Sequence, residues 1–168
     1  MSAVFELGLE FLRSEDLALS LPDLRYGLTR GYLKPHVAIE LALDEVRRGS
    51  QDPLLNEVAG LFSDEADRVS DVLETSVSVP GEDESASRKW LYLQLKAAYI
   101  ERSALRDPLA VAEELYSDFD YPGEVGRFIR YMPLQPGDEP GDAALLRRWS
   151  DFLEREHAAL ARSTPRSS

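Results

Sequence analysis

Residues 90–100 of this 168-residue chain read WLYLQLKAAYI, and the interpretation of this run decides the expected fold. Its apolar side chains point in nearly every direction around a helix, which is typical of a helix packed on several sides. A buried strand is the competing interpretation of such a run. The run is long, however, and continues through residues 101–105 without a break. We therefore predict a central helix here.

Prolines mark expected helix starts on both sides of this run. A proline is tolerated in the first turn of a helix, where its missing N–H would be unpaired anyway. Asp52 and Asp107 stand directly before two of these prolines, as N-cap residues do. The prolines at expected starts are Pro22, Pro35, Pro53, Pro108, Pro122 and Pro140.

The apolar spacing between these starts is helical, and residues 142–162 give the clearest case. One face there is apolar and the opposite face is charged, as in a surface helix with a single buried side. The apolar face comprises Leu145, Trp149, Phe152, Leu153 and Leu160. Strand signals are few, since the alternating residues 77–79 stop at Pro80. The sequence predicts an all-α fold, a single irregular array of helical hairpins around the central apolar helix.

Two polar, turn-rich segments interrupt the helical pattern. Residues 76–87, SVSVPGEDESAS, are expected to form an exposed loop between two helical halves, and residues 133–141, PLQPGDEPG, a second loop. Each half would hold only about 75–80 residues, and the apolar helix needs covering from both. We therefore expect one domain over residues 1–162, followed by a disordered tail at residues 163–168.

The charge balance excludes some partners and favours others. Thirty-one acidic against nineteen basic residues give a formal net charge of −12. Nucleic-acid binding depends on neutralising phosphates with Lys and Arg, so neither DNA nor RNA is an expected partner. Anionic membrane surfaces are disfavoured for the same reason. A basic protein partner is favoured, because opposite fields speed encounter; the alternative is that acidity only keeps the protein soluble.

Composition also narrows compartment and chemistry. The chain has no cysteine, which excludes disulfides, thiolate metal sites and a cysteine nucleophile. No stretch approaches the roughly 20 apolar residues that cross a bilayer, and the first residues do not form a signal peptide. We expect a cytoplasmic protein.

Catalytic and metal motifs are sparse. The only histidines are His36 and His157. Glu154 and His157 have the Glu-x-x-His spacing of di-metal bundles, but that chemistry needs the motif twice, and Leu33 stands where the second glutamate would be. No phosphate-binding glycine loop or nucleophile elbow occurs. We predict no catalytic residue, no metal and no cofactor.

The most distinctive stretch is a run of acids interleaved with aromatic residues at 113–124. Three interpretations remain open: helix caps and core, with Asp120 ahead of Pro122; an acid–base or cation site; and an anchor surface for a basic protein. The predicted partner-binding residues are Glu113, Glu114, Asp118, Phe119, Asp120, Tyr121 and Glu124.

Several segments resemble a known bacterial family. They are DLRYGLTRGYL at 23–33, KWLY at 89–92, DPL at 107–109, DFDYP at 118–122 and FIRYMP at 128–133. Together they are similar to the family catalogued as domain of unknown function 2247, over about residues 15–155, with DFDYP and RYMP the specific part. The resemblance transfers no catalytic residue. By analogy, families of small acidic helical proteins are often proposed as immunity proteins, which neutralise toxins delivered between bacteria.

The leading hypothesis is a non-enzymatic protein-binding module, an immunity-type inhibitor that blocks a basic toxin by steric and electrostatic occlusion. One alternative is a small hydrolase or metal-dependent enzyme using Asp118 and Asp120, or Glu154 and His157. Another is a structural homo-oligomer with an apolar surface patch. The oligomeric state and the identity of the partner stay open.

Overall fold

The computed structural model of the chain describes residues 5–61, 63–74 and 81–163, and every regular element within them is helical. The all-α prediction is confirmed. The α-helices are α1 Leu9–Glu15, α2 Leu21–Thr29, α3 Pro35–Arg47, α4 Pro53–Ala59, α5 Arg68–Glu74, α6 Glu82–Ile100, α7 Pro108–Asp118 and α8 Asp142–Ser163. Short 3-10 helices occupy Ser63–Glu65 and Val125–Phe128. The alternating residues 77–79 and the expected tail at 164–168 lie outside the described residues; Ser163 itself ends α8.

Four of the six proline-marked starts are confirmed. Pro35, Pro53 and Pro108 are the first residues of their helices, and Pro22 is the second residue of α2. The two aspartate caps form as well: the carboxylates of Asp52 and Asp107 accept hydrogen bonds from the backbone N–H groups of Leu54 and Ala110.

The other two starts are wrong for identifiable reasons. Gly141 follows Pro140 with φ +103°, a conformation outside the helical range, so α8 begins only at Asp142. Pro122 follows Asp120 and Tyr121, which both have left-handed backbones. Asp120 is therefore not the N-cap of a helix at Pro122; the next element is the 3-10 helix at Val125–Phe128.

The predicted apolar helix exists as α6, but its ends differ from the prediction, and the array of hairpins around it stays a prediction. Residues 90–95 are all buried, as expected. The predicted loop at 76–87 is wrong from Glu82 onward, because α6 begins there: acids at 82–84 fill the first turn, where they complement the helix dipole, and Ala86 is fully buried. At the other end α6 stops at Ile100, since the polar residues 101–103 offer no apolar side chain to bury, and turns follow.

The chain divides into two compact units. The N-terminal unit contains residues 6–90 together with the chain from Leu160, and the C-terminal unit contains Phe5 and residues 91–159. Single-domain organisation over residues 1–162 stays a prediction. In the described chain, no helix is long and apolar enough to span a membrane.

A buried polar network organises the N-terminal unit. Lys89 donates from Nζ to Asp23 Oδ2 at 2.6 Å and to the carbonyl of Ala18 at 3.0 Å. The indole of Trp90 donates to the backbone carbonyl of Asp23, and its ring lies directly against Gly27. Asp23 also accepts from the N–H of Ser20, which closes a capping box at the start of α2.

Aromatic stacking forms the core of the C-terminal unit. Trp149 is fully buried; its ring stacks on Phe128 with centroids 5.7 Å apart and meets Tyr99 edge-on at 5.4 Å. The apolar face predicted for α8 is buried at all five positions. Gln94 is fully buried as well, and its amide bonds both the N–H and the carbonyl of Phe5 at 2.8 Å.

Candidate functional site

Helix α7 carries the first part of the acid–aromatic run. It buries Leu109, Ala112, Leu115 and Tyr116. Glu114 and Asp118 are exposed and lie one turn apart, so they share a face of the helix. Glu113 is only half-exposed.

The end of α7 holds two strained residues. The N–H of Asp120 donates to the carbonyl of Ser117 at 3.1 Å, and the N–H of Tyr121 donates to the carbonyl of Tyr116 at 2.8 Å. These are the two bonds of a Schellman C-cap, a motif that usually places glycine where Asp120 stands. Asp120 has φ 65° and Tyr121 φ 56°. Asp tolerates this region, whereas a bulky tyrosine there is a genuine outlier.

Local contacts hold Tyr121 in this conformation. Its ring meets Tyr116 edge-on, with centroids 5.2 Å apart and planes at 88°, and Ser117 Oγ donates to its phenol oxygen at 3.3 Å. The side chain is nevertheless 56% exposed. Strained, over-determined residues of this kind cluster at ligand clamps and switch regions.

A third tyrosine completes what we call the tyrosine cluster: Tyr116, Tyr121 and Tyr131. The ring of Tyr131 lies 6.3 Å from that of Tyr116, and Tyr131 is 59% exposed. Partial desolvation, together with Tyr116, Tyr121 and Glu113, raises the pKa of the Tyr131 phenol. The phenol, which is neutral at physiological pH even with an ordinary pKa of 10.0, is held further from ionisation. Sequence reasoning missed Tyr131 as a site residue, although the RYMP segment containing it stood out.

The predicted acids do not contribute equally to the charge of this surface. Arg130 donates from Nε to Glu113 at 2.6 Å and from Nη2 to Asp107 at 3.1 Å, and the hydrogen bond to Glu113 raises the pKa of Arg130. Glu113 is thus neutralised by a neighbour. The remaining exposed carboxylates form what we call the acidic rim: Glu114, Asp118, Asp120 and Glu124. Phe119 is half-buried beside them.

A groove of about 390 Å³ lies next to the tyrosine cluster. Its apolar wall comprises Ile129, Met132, Leu134 and Leu145, with Gly123 and Gly126 between them. Met132 Sδ lies 3.9 Å from the phenol oxygen of Tyr116, so the groove meets the tyrosine cluster where Met132 contacts Tyr116.

Arginines fix the 133–141 loop that forms one side of the groove, and this predicted loop is confirmed. Arg127 pairs with Asp138 at 2.8 Å, and Arg148 donates to the backbone carbonyls of Arg127 and Glu139. Desolvation would raise the pKa of Asp138, but the N–H of Gln135 and the charge of Arg127 outweigh it and lower that pKa. A second, more open depression of about 470 Å³ is lined by Arg127, Arg148, Asp138 and Glu139, among others.

The metal alternative finds no support in the geometry. Across residues 5–61, 63–74 and 81–163, no group of three or more His, Asp or Glu side chains is arranged to hold a metal. Glu154 is exposed, whereas the ring of His157 packs at 5.7 Å from Tyr92. His36 is exposed on α3.

A family model matches most of the chain. It is that of DUF2247, described as an uncharacterized protein conserved in bacteria, and it covers residues 9–157. The match includes α7, the tyrosine cluster, the acidic rim and the groove. No curated protein and no solved structure matches the chain.

Proposed function

This chain belongs to the bacterial family DUF2247, and we propose that it acts in the cytoplasm as a non-enzymatic binding protein, an immunity-type inhibitor of a basic bacterial toxin. The observation that carries the proposal is the exposure of Tyr121 and Tyr131 beside four exposed carboxylates. The partner-binding surface comprises Tyr121, Tyr131 and the acidic rim, and the buried Tyr116 supports the two exposed rings.

The tyrosines supply the anchoring part of this surface. Tyrosine is enriched among the residues that dominate binding energy, because its rigid ring buries a large area and its hydroxyl keeps a hydrogen-bonding handle. The Schellman bonds and the edge-on packing on Tyr116 fix Tyr121 in advance. Less conformational entropy is therefore lost when a partner binds.

The acidic rim supplies attraction and selectivity. Carboxylates around an aromatic patch attract a basic partner, raise its association rate and disfavour acidic competitors. A toxin that acts on nucleic acid or another polyanion would present basic residues around its own active site. An acidic surface laid over that site would exclude the substrate without any chemistry, which is the proposed mechanism of inhibition.

The test compares two charge-matched variants. The first combines Asp118→Lys with Asp120→Asn; lysine suits the C-terminal end of α7, and asparagine tolerates the left-handed backbone. The control combines Asp151→Lys with Glu154→Gln on the exposed face of α8, which changes the net charge by the same amount. A partner captured from the native cells at low salt is purified, and its affinity for each variant is measured.

We expect the first variant to lose at least about tenfold in affinity, and the control to lose less than about twofold. Wild-type binding should weaken as salt rises. The captured partner should also be toxic when produced without this protein. Equal affinities for the two variants would show that the acid–aromatic surface is not the binding site.

A further inference from the structure

We infer that the groove beside the tyrosine cluster receives an apolar side chain of the same partner. The recognised segment of that partner would carry an apolar residue close to basic residues. This inference rests on the proposed function and adds to it a second subsite with a different chemistry.

Exposed apolar side chains are concentrated at this place. In the described part of the chain, the large hydrophobic residues that remain exposed are Ile100, Tyr121, Tyr131, Met132 and Leu134. Four of these five fall within residues 121–134. Scattered exposed apolar residues are ordinary, but a contiguous patch with a polar rim marks an interaction site.

The groove has room for a side chain. Its volume of about 390 Å³ far exceeds the roughly 30 Å³ that one water molecule occupies in the liquid. A Cβ placed on Gly123 would meet no atom within 4 Å, whereas one placed on the buried Gly126 would lie 3.5 Å from the phenol oxygen of Tyr116 and 3.7 Å from Met132 Cε. Gly123 therefore borders open space, and the absence of a side chain at Gly126 leaves Met132 uncovered on that side.

The charges assign the basic residue of the partner to the acidic rim and not to the groove itself, whose lining contains three arginines. Arg127 is paired with Asp138 and Arg130 with Glu113. Arg148 donates to two backbone carbonyls and keeps its positive charge, so the groove itself suits an apolar side chain. The acidic rim, in contrast, comes from the end of α7 and the residues just after it, where Asp118 and Asp120 precede Tyr121. Tyr121 and the groove residue Met132 both contact Tyr116. A segment lying across the exposed ring of Tyr121 would place an apolar residue in the groove and a Lys or Arg among the carboxylates.

The experiment selects short random peptides displayed on phage against the purified wild-type chain. Enriched peptides are synthesised and their affinities are measured for the wild type, Leu134→Ser and the Asp118→Lys/Asp120→Asn variant. Ile100→Ser is the matched control, because Ile100 is 51% exposed against 49% for Leu134 and lies in the same unit. The mass of each protein is measured by light scattering.

We expect enriched peptides to carry an apolar residue within a few positions of Lys or Arg. Leu134→Ser should lower the affinity of the protein for these peptides about tenfold, the loss typical of one hydrophobic contact. Ile100→Ser should change this affinity less than about twofold.

Purely basic peptides that tolerate Leu134→Ser would overturn the groove inference and leave the proposed function standing. Peptides whose affinity is unchanged by Asp118→Lys/Asp120→Asn would contradict both the groove inference and the proposed function. A selection that enriches no peptide would contradict both as well. A wild-type dimer that Leu134→Ser separates would assign the groove to a second copy of the chain, and would also overturn the inference.

Discussion

Lys89 and Asp23 form an ion pair at 2.6 Å with side chains only 3% and 2% exposed. Removing two charges from water is costly, and their attraction compensates only while both partners and their hydrogen bonds are present. Here the carbonyl of Ala18 and the N–H of Ser20 complete the network. The pair therefore ties the start of α2 to α6 within the N-terminal unit.

Removal of one member of this pair should destabilise the protein strongly. Lys89→Met leaves a buried carboxylate without its cation, and we expect a loss of about 3–5 kcal/mol in the free energy of unfolding. Adding Asp23→Asn, which removes the stranded charge but keeps an acceptor for Ser20, should restore part of this loss. Urea unfolding measures both effects.

The control for this experiment is an exposed pair. Arg68→Met removes a partner from Glu65 at a site where the arginine side chain is 62% exposed, and should cost no more than about 1 kcal/mol. Equal losses for Lys89→Met and Arg68→Met would mean that the buried pair has no special energetic role.

Gly27 should not tolerate a methyl group. An alanine Cβ there would lie 2.4 Å from Cζ2 of Trp90, a fully buried ring held by its bond to Asp23. We expect Gly27→Ala to cost about 1–3 kcal/mol through overpacking. At Gly60, by contrast, the nearest atom to a Cβ is 3.5 Å away, so Gly60→Ala is the control. Thermal unfolding of the two variants should separate them clearly; similar midpoints would contradict the rigid packing of Trp90.

Asp120→Gly should separate stability from binding. Glycine adopts φ 65° without strain, and residues held in that region cost of order 1–3 kcal/mol, only partly offset by the greater freedom of unfolded glycine. We expect the variant to be about 1 kcal/mol more stable and to bind its partner more weakly, because a carboxylate is lost. Urea unfolding measures the change in stability, and a binding assay measures the change in affinity for the partner. An increase in both stability and affinity would show that Asp120 is not part of the binding surface.

Asp138 should stabilise the 133–141 loop in a pH-dependent way. Its pKa is lowered in the folded protein, so its contribution is complete above the ordinary carboxyl value of 3.8 and is lost as the pH falls through the lower folded value. The stability difference between wild type and Asp138→Asn should therefore be present at neutral pH and shrink below about pH 3.8. Asp151→Asn provides the exposed comparison, and a difference that stays constant with pH would exclude the ionised pair with Arg127.

The sequence was most informative where one residue type has one physical consequence. Three helices begin at a proline, because proline suits the first turn: Pro35, Pro53 and Pro108. Residues 90–95 are buried because a run that is apolar on nearly every side of the helix must be covered on several sides. Pattern reasoning was wrong at 82–87, because a polar segment rich in acids can form either a loop or the first turns of a helix. In the structure these residues form the first turns of α6, and the burial of Ala86 shows that the segment packs against the protein and is not an exposed loop.

The candidate site was only partly accessible to sequence reasoning. The acid–aromatic run stood out by composition, and Tyr121 is exposed as a binding residue should be. The ion pair between Glu113 and Arg130 joins residues 17 positions apart, and Tyr131 reaches Tyr116 through a 3-10 helix and a turn. Such contacts depend on tertiary structure, so no local pattern could reveal that one acid was neutralised or that a third tyrosine belonged to the surface.

The amide of Gln94 occupies the place that a neighbouring β-strand would take beside Phe5, since it donates to one main-chain group and accepts from the other. A single side chain thus satisfies the polar backbone of a residue that lies outside any helix. Hydrogen exchange at the Phe5 amide would then require the opening of its hydrogen bond to Gln94, so the exchange rate would measure how stable this contact is. The amide of the first described residue would thereby report on a side chain that is fully buried in α6.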